Sequence, residues 1–398
     1  MPGFSKRAEG TPPSPIRALA PLAREQQEKG KKVWYLNIGQ PDLLAPDSFY
    51  KALNEFGTQM IHYAPSEGLK SLRVSWANFL NKTLATSLHP DEMIITTGAS
   101  EALLFTFAAC CDPGEEILTF DPTYANYIGI SALAGVKLKS LITKFEDNYA
   151  LPEISEIEKA ITKQVKAVLL CSPNNPTGSV YDAETVKSLA ELCKQKNVYL
   201  IVDESYREIV FDNCQPFSVL SEVPDEDHIV MIDSLSKRFS LCGVRVGCVV
   251  TKNKKLLKFI WNMASTRLAS PFIAQVACAK MIEETPPEYI LDVKNTYQNR
   301  RDALLKSVAE LPGVNIFKSG GAFYTILDLP VDCAQSFATF LLKDFAFENE
   351  TVFIAPVSGF YLKPNQGKTQ ARVAFVLEPN LLVRATKVLD EALKAYNA

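Results

Sequence analysis

The feature that most constrains the fold is an alternation of short apolar runs with longer amphipathic runs, which starts near Glu92. This alternation is typical of successive βα units and predicts a mostly parallel sheet with helices on its faces. The seven runs predicted as strands are Met93–Thr96, Glu116–Phe120, Val136–Leu141, Val165–Cys171, Tyr199–Val202, Ile229–Ile232 and Gly247–Thr251. The predicted helices are Glu101–Cys111, Tyr124–Leu133, Ala183–Lys196 and Pro287–Leu311. We expect an α/β fold whose seven-stranded sheet is sandwiched by helices.

The 398 residues exceed the length of one average domain, which is about 150 residues. After about residue 290 the pattern changes to a charged helix, the turn Leu311–Gly313, further apolar runs and a closing helix from Asn380. We predict a large domain at residues 46–290 and a smaller α+β domain formed by residues 1–45 together with 291–398. The first segment is too short for a core of its own, so we expect it to pack against the carboxyl-terminal part.

Composition excludes several classes of function. Lys and Arg number 42 and Asp and Glu 45, a net charge of −3 without a basic stripe, which argues against a nucleic-acid partner. The three histidines are far apart in sequence, so we expect neither a metal site nor a histidine-based triad. The nine cysteines form no C-x-x-C pair, the amino terminus lacks a signal-peptide core, and no apolar run approaches the ~18 residues of a membrane span. We expect a cytoplasmic protein with reduced thiols and no membrane partner.

Polar clusters directly follow three of the predicted strands, at Ser172–Gly178, Asp203–Tyr206 and Ser234–Lys237. The carboxyl ends of parallel strands share one edge, so these clusters should meet in the crevice where ligands of such folds bind. A fourth cluster, Thr96–Glu101, follows a strand and opens a helix, whose free N–H groups suit a phosphate.

The groups predicted to lie at this edge are one lysine, one carboxylate, several hydroxyls, the start of a helix and Arg245. That set fits a phosphorylated, cationic ring bound covalently to an amine. Neither G-x-G-x-x-G after a strand nor G-x-x-x-x-G-K-[ST] is present, which argues against dinucleotides and nucleoside triphosphates. Each cluster alone is also compatible with an ordinary surface turn.

The segment Ser234–Gly247 resembles, position by position, the lysine-attachment signature of the class I/II pyridoxal-phosphate aminotransferases, which have fold type I and include aspartate aminotransferase. Further segments resemble the same family in the same order: Asn37–Asp42, Tyr63–Gly68, Pro122–Tyr124, Asn174–Gly178, Asp203–Tyr206, Gly320–Tyr324 and Ala371–Phe375. The resemblance therefore covers nearly the whole chain and implies pyridoxal 5'-phosphate as the cofactor of the large domain.

The resemblance implies a role for each residue around the ring. Lys237 would bond to the cofactor's aldehyde and later move the substrate's α-proton. Asp203 follows an apolar strand, where an unpaired charge is costly, and would pair with the ring nitrogen. Tyr206 and Asn175 would hydrogen-bond to the phenolic oxygen, and Tyr124 would stack on the ring. Purely structural roles as a surface lysine, salt bridge, turn or core aromatic remain alternatives.

The phosphate contacts implied by the resemblance are the N–H groups of Ala99 and Ser100, the hydroxyls of Ser234 and Ser236, and the guanidinium of Arg245. Tyr63 resembles a tyrosine that reaches the phosphate from the neighbouring subunit, so this role requires a homodimer with shared active sites. A plain surface tyrosine is the alternative.

Arg372 resembles the arginine that binds the substrate's α-carboxylate with its planar fork, a task to which Asn175 and the N–H group of Gly39 would contribute. The side-chain specificity stays open. Ser100 stands where bacterial aspartate-specific relatives have a lysine, and Arg267 or Arg17 could replace it or could be surface residues. Phe323 and Phe360 are candidates for an aromatic pocket.

The expected function is an aminotransferase that moves an amino group between an L-amino acid and a 2-oxo acid by a ping-pong mechanism. A β-lyase or synthase on the same fold would share the same lysine, carboxylate and arginines. The alternative from another class is a catalytically silent regulator or scaffold, although such proteins usually lack the lysine or the carboxylate.

Overall fold

The computed structural model describes residues 3–212 and 214–398, so the first two residues of the predicted segment 1–45 lie outside it. The helices are α1 Lys6–Glu9, α2 Ala20–Glu28, α3 Asp47–Phe56, α4 Lys70–Leu84, α5 Ala99–Cys110, α6 Ala125–Ala134, α7 Ile154–Ala160, α8 Ala183–Gln195, α9 Val219–Glu222, α10 Lys254–Thr266, α11 Phe272–Glu284, α12 Pro287–Val308, α13 Ala334–Lys343 and α14 Pro379–Tyr396. Two short 3₁₀ helices span Pro90–Glu92 and Val357–Phe360.

The strands are β1 Lys32–Tyr35, β2 Met93–Thr96, β3 Glu116–Asp121, β4 Lys137–Ile142, β5 Val165–Cys171, β6 Tyr199–Asp203, β7 Ile229–Ser234, β8 Gly247–Val250, β9 Asn315–Ile316, β10 Tyr324–Asp328, β11 Glu350–Phe353, β12 Ala355–Pro356 and β13 Gln370–Ala374. Seven of them form the central sheet in the order β2-β8-β7-β6-β5-β3-β4. Among these described strands β8 alone is antiparallel to its neighbours. The predicted α/β fold with a mostly parallel seven-stranded sheet is therefore confirmed.

Both faces of the central sheet are covered, which explains why its strands are almost continuously apolar. Leu200 and Val202 of β6 point into a core that includes Trp76 of α4 and Leu189 of α8. Ile201, between them, points to the opposite core. That second core contains side chains of α5, α6 and α10. The sheet is thus covered by helices on both faces.

A second, antiparallel sheet has the order β12-β13-β10-β9. Beside it β1 pairs in parallel with β11, so residues 32–35 contact the carboxyl-terminal part of the chain. The apolar run Val352–Ala355 is divided between β11 and β12, which belong to different sheets. The domain boundaries near residues 45 and 290 stay a prediction, and α12 runs across residue 290.

Of the helices in the described ranges, none combines the length and the apolar character that crossing a membrane requires.

Candidate active site

The candidate site lies at the edge of the central sheet where β2, β5, β6 and β7 end. Because β8 runs antiparallel, its first residue reaches the same edge, and Gly247 is paired with both Thr96 and Ser234. Asp203 is paired with Cys171 in the same way. This register brings together the four polar clusters that follow the strands in sequence.

Asp203 is a buried carboxylate that accepts hydrogen bonds but has no cationic partner within residues 3–212 and 214–398. One oxygen accepts from the N–H group and the hydroxyl of Ser205, at 3.1 and 2.6 Å, and the other accepts from the Tyr127 hydroxyl at 2.6 Å. No Lys, Arg or His in the described ranges forms an ion pair with it. Burial raises the pKa of Asp203, although the hydrogen bonds from Ser205 and Tyr127 oppose the rise. A cationic ring nitrogen would supply the missing charge.

Lys237 lies three residues beyond the end of β7, with its amine inside the crevice. Its Nζ donates to the carbonyl of Gly39 at 3.2 Å and lies 3.5 Å from Sγ of Cys242. Burial opposes a charge on this amine, but the phenol of Tyr324 and the thiol of Cys242 favour it and raise the pKa of Lys237 above its ordinary value. The amine is held by weak, replaceable contacts and lacks a carboxylate partner among the described residues.

A buried network of ion pairs fixes the backbone on both sides of the site. Arg207, after β6, pairs with Glu204 at 2.8 Å and with Asp233 of β7 at 3.1 Å. Arg238, the residue after Lys237, pairs with Asp233 and with Glu208 at 2.8 Å. Buried charges are costly unless they are paired, so these pairs restrict the relative positions of the segments that carry Asp203 and Lys237.

A cradle for an anion lies at the start of α5. Gly98 precedes the helix with φ of 75°, and a side chain there would overlap the guanidinium of Arg245. A Cβ on Gly247 would lie 2.7 Å from the backbone N of Ala99. Arg245 Nη1 donates to the carbonyl of Cys242 at 2.8 Å. The guanidinium of Arg245 therefore lies against the first turn of α5, where a phosphate would contact both the guanidinium and the N–H groups of that turn.

Three serine hydroxyls lie at the same edge. The hydroxyl of Ser234 donates to that of Ser236 at 2.9 Å and accepts from the Ser236 N–H group at 3.2 Å. The hydroxyl of Ser100 accepts from the side chain of Asn126 at 3.3 Å. Together with the helix start and the nearby guanidinium, this donor set fits a phosphate.

Arg372 of β13 is a buried cation that has no carboxylate partner in the part of the chain that the structure describes. Its guanidinium donates to Asn175 Oδ1 at 2.8 Å and to the carbonyl of Asn37, and Nε has no hydrogen-bond partner. It lies 4.4 Å from the ring centroid of Tyr324 and 5.0 Å from that of Phe360. Burial lowers the pKa of Arg372 from its very high ordinary value. A carboxylate ligand would supply the missing anion.

Tyrosines line the space between the lysine and this arginine. The hydroxyl of Tyr206 lies 3.0 Å from that of Tyr324, and burial raises the pKa of Tyr206 well above its ordinary value, so it remains a hydrogen-bond donor. The ring of Tyr124 packs edge-on against Tyr127 at 5.3 Å. Phe323 packs edge-on against Tyr206 at 5.3 Å.

Three residues that the sequence suggests for the site do not contact the active-site residues described above within the single chain. Tyr63 is 84% exposed. Arg17 is also exposed. Arg267 pairs with Glu101 of α5 at 3.2 Å and donates to the carbonyl of Ile95 at 3.1 Å, whereas its Nη1 has no hydrogen-bond partner among the described residues.

Sequence reasoning did not assign roles to Tyr127 and Tyr324, which contact the site directly. Tyr127 follows Tyr124 by three residues, close to one helical turn, so a helix starting there places both on one face. Tyr324 ends the glycine-rich segment Gly320–Tyr324, for whose tyrosine the family resemblance implies no role.

Comparisons with known proteins agree with this geometry. The chain matches the family model "Aminotransferase class I and II" over residues 31–388. A probable aspartate/prephenate aminotransferase from Aquifex aeolicus is 28% identical over 400 residues, which cover 98% of this chain and 99% of the relative.

Two solved structures have the same fold. The aspartate aminotransferase from Thermus thermophilus with maleate has a TM-score of 0.90 at 26% identity, and the match covers 98% of this chain and 100% of that chain. The alanine aminotransferase from Pyrococcus furiosus has a TM-score of 0.90 at 28% identity, with 99% and 100% covered. Since the family model spans most of its length, the chain belongs to the class I and II aminotransferases and is an aminotransferase, as its sequence predicts.

Proposed function

We propose that this aminotransferase uses pyridoxal 5'-phosphate in the crevice at the sheet edge and moves an amino group between an L-amino acid and a 2-oxo acid in a ping-pong cycle. The observation that carries the proposal is a set of three groups that have no ionic partner among the described residues: the amine of Lys237, the buried carboxylate of Asp203 and the buried guanidinium of Arg372. Each lacks the partner that this cofactor or its substrate would provide.

The cofactor supplies an aldehyde that accepts the amino group and a cationic ring that withdraws electrons from the substrate's α-carbon. Asp203 keeps the ring nitrogen protonated, since a buried carboxylate favours a neighbouring cation. Tyr206 and Asn175 would hydrogen-bond to the phenolic oxygen of the cofactor, and Tyr124 would stack on its ring.

The phosphate is bound at the start of α5. The groups that hold it are the N–H groups of Ala99 and Ser100, the hydroxyls of Ser234 and Ser236, and the fork of Arg245. These contacts would hold the phosphate end of the cofactor and leave its aldehyde free to bond with Lys237.

Lys237 would hold the cofactor and would accept the proton that the substrate's α-carbon releases. Its amine suits this task because the stem is flexible and its present contacts, to Gly39 and Cys242, are weak. Arg372 binds the α-carboxylate bidentately, with Asn175 orienting the guanidinium and the N–H group of Gly39 assisting. The carboxylate contact positions the α-proton for transfer.

A single-turnover experiment tests this function. The cofactor-loaded protein is mixed with an amino acid and no acceptor, and the 2-oxo acid and ammonia are measured. A ping-pong aminotransferase releases one 2-oxo acid per active site, keeps the nitrogen, and turns over only when a second 2-oxo acid is added. Continuous release of ammonia without an acceptor would instead indicate a lyase.

The amino donor is best found with a panel that includes aspartate, alanine and phenylalanine, each with 2-oxoglutarate and with pyruvate. The relatives' names include aspartate and alanine aminotransferases, so both donors are tested first. Because Arg267 is paired with Glu101, it is a weaker candidate than Arg17 for a distal carboxylate. The comparison of kcat/KM values identifies the physiological class.

We further propose that the protein is a cytoplasmic homodimer with shared active sites. Met60, Ile61 and Tyr63 are 76%, 65% and 84% exposed, although all three are large apolar or aromatic side chains. A cluster of this kind favours burial against a second copy, and the exposed Tyr63 is then available to the partner's phosphate. The nine free cysteines favour a reducing compartment.

A further inference from the structure

Tyr324 contacts several residues of the candidate active site. It begins β10, is buried, and its hydroxyl lies 3.0 Å from that of Tyr206. The guanidinium of Arg372 lies 4.4 Å from the centroid of its ring. One side chain thus contacts both the proposed cofactor-binding phenol and the proposed carboxylate-binding arginine.

The same phenol also contacts the loop between β1 and α3. Its hydroxyl donates to the carbonyl of Gly39 at 3.5 Å, and a side chain on Gly39 would overlap that hydroxyl. The glycine at position 39 is therefore required by the ring of Tyr324. The carbonyl of Gly39 also accepts from Lys237 at 3.2 Å, so the lysine and the phenol share one acceptor.

We propose that Tyr324 is a positioning residue that acts through Tyr206, making the Tyr206 hydroxyl a stronger donor to the cofactor's phenolic oxygen while its ring supports Arg372. This inference rests on the proposed function, because it assigns a role within the same site.

Counting protons gives the direction of the hydrogen bonds. Each phenol carries a single hydroxyl proton. When Tyr324 donates to Gly39, Tyr206 must donate to Tyr324. When Tyr206 donates to a bound cofactor, Tyr324 must reverse and donate to Tyr206. Hydrogen bonds in such a chain polarise one another, so Tyr206 becomes the stronger donor.

The test is a pH titration of the absorbance of the bound cofactor in the holoenzyme. A hydrogen bond to the phenolic oxygen favours its ionised form and lowers the pKa that this titration reports. Tyr324→Phe removes the hydroxyl and keeps the ring. We expect the pKa to rise by about one unit, the size expected when one hydrogen bond to a charged group is weakened. KM for the best amino donor should change little.

A double-mutant cycle shows whether Tyr324 acts through Tyr206. Tyr206→Phe should raise the same pKa further, and adding Tyr324→Phe to it should cause no additional shift. Tyr324→Leu, which also removes the ring beneath Arg372, should raise KM about tenfold as well, in line with the loss of a cation–π contact.

Tyr297→Phe is the matched control. Tyr297 is buried, its ring packs against Phe323, and its hydroxyl has no hydrogen-bond partner among the described residues, so this variant removes a hydroxyl without changing the donor to Tyr206. The pKa of the bound cofactor in this variant, read from its absorbance, should equal that in the wild type. Gly39→Ala, which displaces the Tyr324 hydroxyl from the other side, should raise the pKa and provides a second probe if Tyr324→Phe folds poorly.

An unshifted pKa in Tyr324→Phe, or a shift that adds fully to that of Tyr206→Phe, would overturn the inference and leave the proposed function intact. A wild-type protein that binds no pyridoxal phosphate would overturn both.

Discussion

Two buried charges of opposite sign, Asp203 and Arg372, lack ionic partners in the described structure. Burying an unpaired charge is costly, and the cofactor-free protein bears that cost at both positions. Such an arrangement is typical of a binding site whose ligand completes the pairs, and each residue gives a separate prediction.

Asp203→Asn should stabilise the cofactor-free protein at neutral pH. Burial raises the pKa of Asp203, so the folded protein holds this proton more tightly than the unfolded chain. The free energy of unfolding therefore falls as pH rises from the ordinary carboxyl range, near ~3.9, through the raised value. Differential scanning calorimetry should show a higher Tm for the variant at pH 7 and a shrinking difference towards pH ~4.

The same substitution should weaken cofactor binding, because the ring nitrogen loses its anionic partner. The control is Asp390→Asn, a partly exposed carboxylate of α14 that pairs with the exposed Lys394, where we expect little change in either measurement. A lower Tm for cofactor-free Asp203→Asn at pH 7 would contradict this account of the carboxylate.

Arg372→Ala should leave cofactor binding intact. It should weaken the binding of every amino acid and 2-oxo acid by about 2–5 kcal/mol, as expected for the loss of a buried charge that pairs with a ligand. The measurement is kcat/KM across the donor panel. Arg24→Ala, which removes an exposed arginine of α2, is the control. Unchanged kcat/KM values would mean that the α-carboxylate binds elsewhere.

At this scale the sequence predicts residues whose chemistry is distinctive and misses those that act by packing. Lys237, Asp203 and Arg372 stand out because a lysine, a carboxylate after an apolar strand and an arginine in a matching segment have few other uses there. Tyr127 and Tyr324 are ordinary core aromatics in sequence, and only the folded structure shows that their hydroxyls meet Asp203 and Tyr206.

At the scale of the elements, the first residue of β8, Gly247, lies against the start of α5. Gly247→Ala would place a Cβ 2.5 Å from the carbonyl carbon of Gly98 and 2.7 Å from the N of Ala99. Neither backbone atom can move without shifting the helix start. We expect a loss of about 1–3 kcal/mol in the free energy of unfolding. Cofactor affinity should fall at least tenfold.

Gly243→Ala is the control in the same segment, because Gly243 is exposed and a Cβ there meets no atom within 4 Å. The two variants are compared by urea unfolding and by the quenching of tryptophan fluorescence on cofactor binding. Equal cofactor affinities for the two would contradict the proposed place of the phosphate.

Strands of the central sheet are predicted well because both faces are buried, so each appears as a bounded apolar run. Helices are harder. The helix α11 has buried residues around most of its circumference, and α4 lies before the region where the alternation begins, so neither is predicted. The helix α5 begins at Ala99, two residues before the prediction, because Gly98 supplies the backbone turn that precedes it.

For the whole molecule, the sequence predicts the fold class and the aminotransferase function, and both are confirmed, by the sheet topology and by the family match. The sequence cannot show how two sheets share the segment Val352–Ala355, because an apolar run does not reveal where the chain changes sheets. The domain boundaries and the homodimer stay predictions.

The proposed dimer is tested by Ile61→Lys, which places a charge in the exposed cluster with Met60 and Tyr63. We expect analytical ultracentrifugation to show a dimer for the wild type and a monomer for the variant, because burying the new charge is unfavourable. Cofactor affinity should fall with dissociation, since Tyr63 is then removed from the partner's phosphate. A dimer that persists in the variant would place the interface elsewhere.

The central claim is that the amine at position 237 carries the cofactor. Reduction of the cofactor-loaded protein with borohydride, followed by proteolysis and peptide mass spectrometry, tests it directly. We predict one phosphopyridoxyl group per chain, attached to Lys237, and none in Lys237→Ala. Attachment to any other lysine, or no attachment in the wild type, would contradict the account.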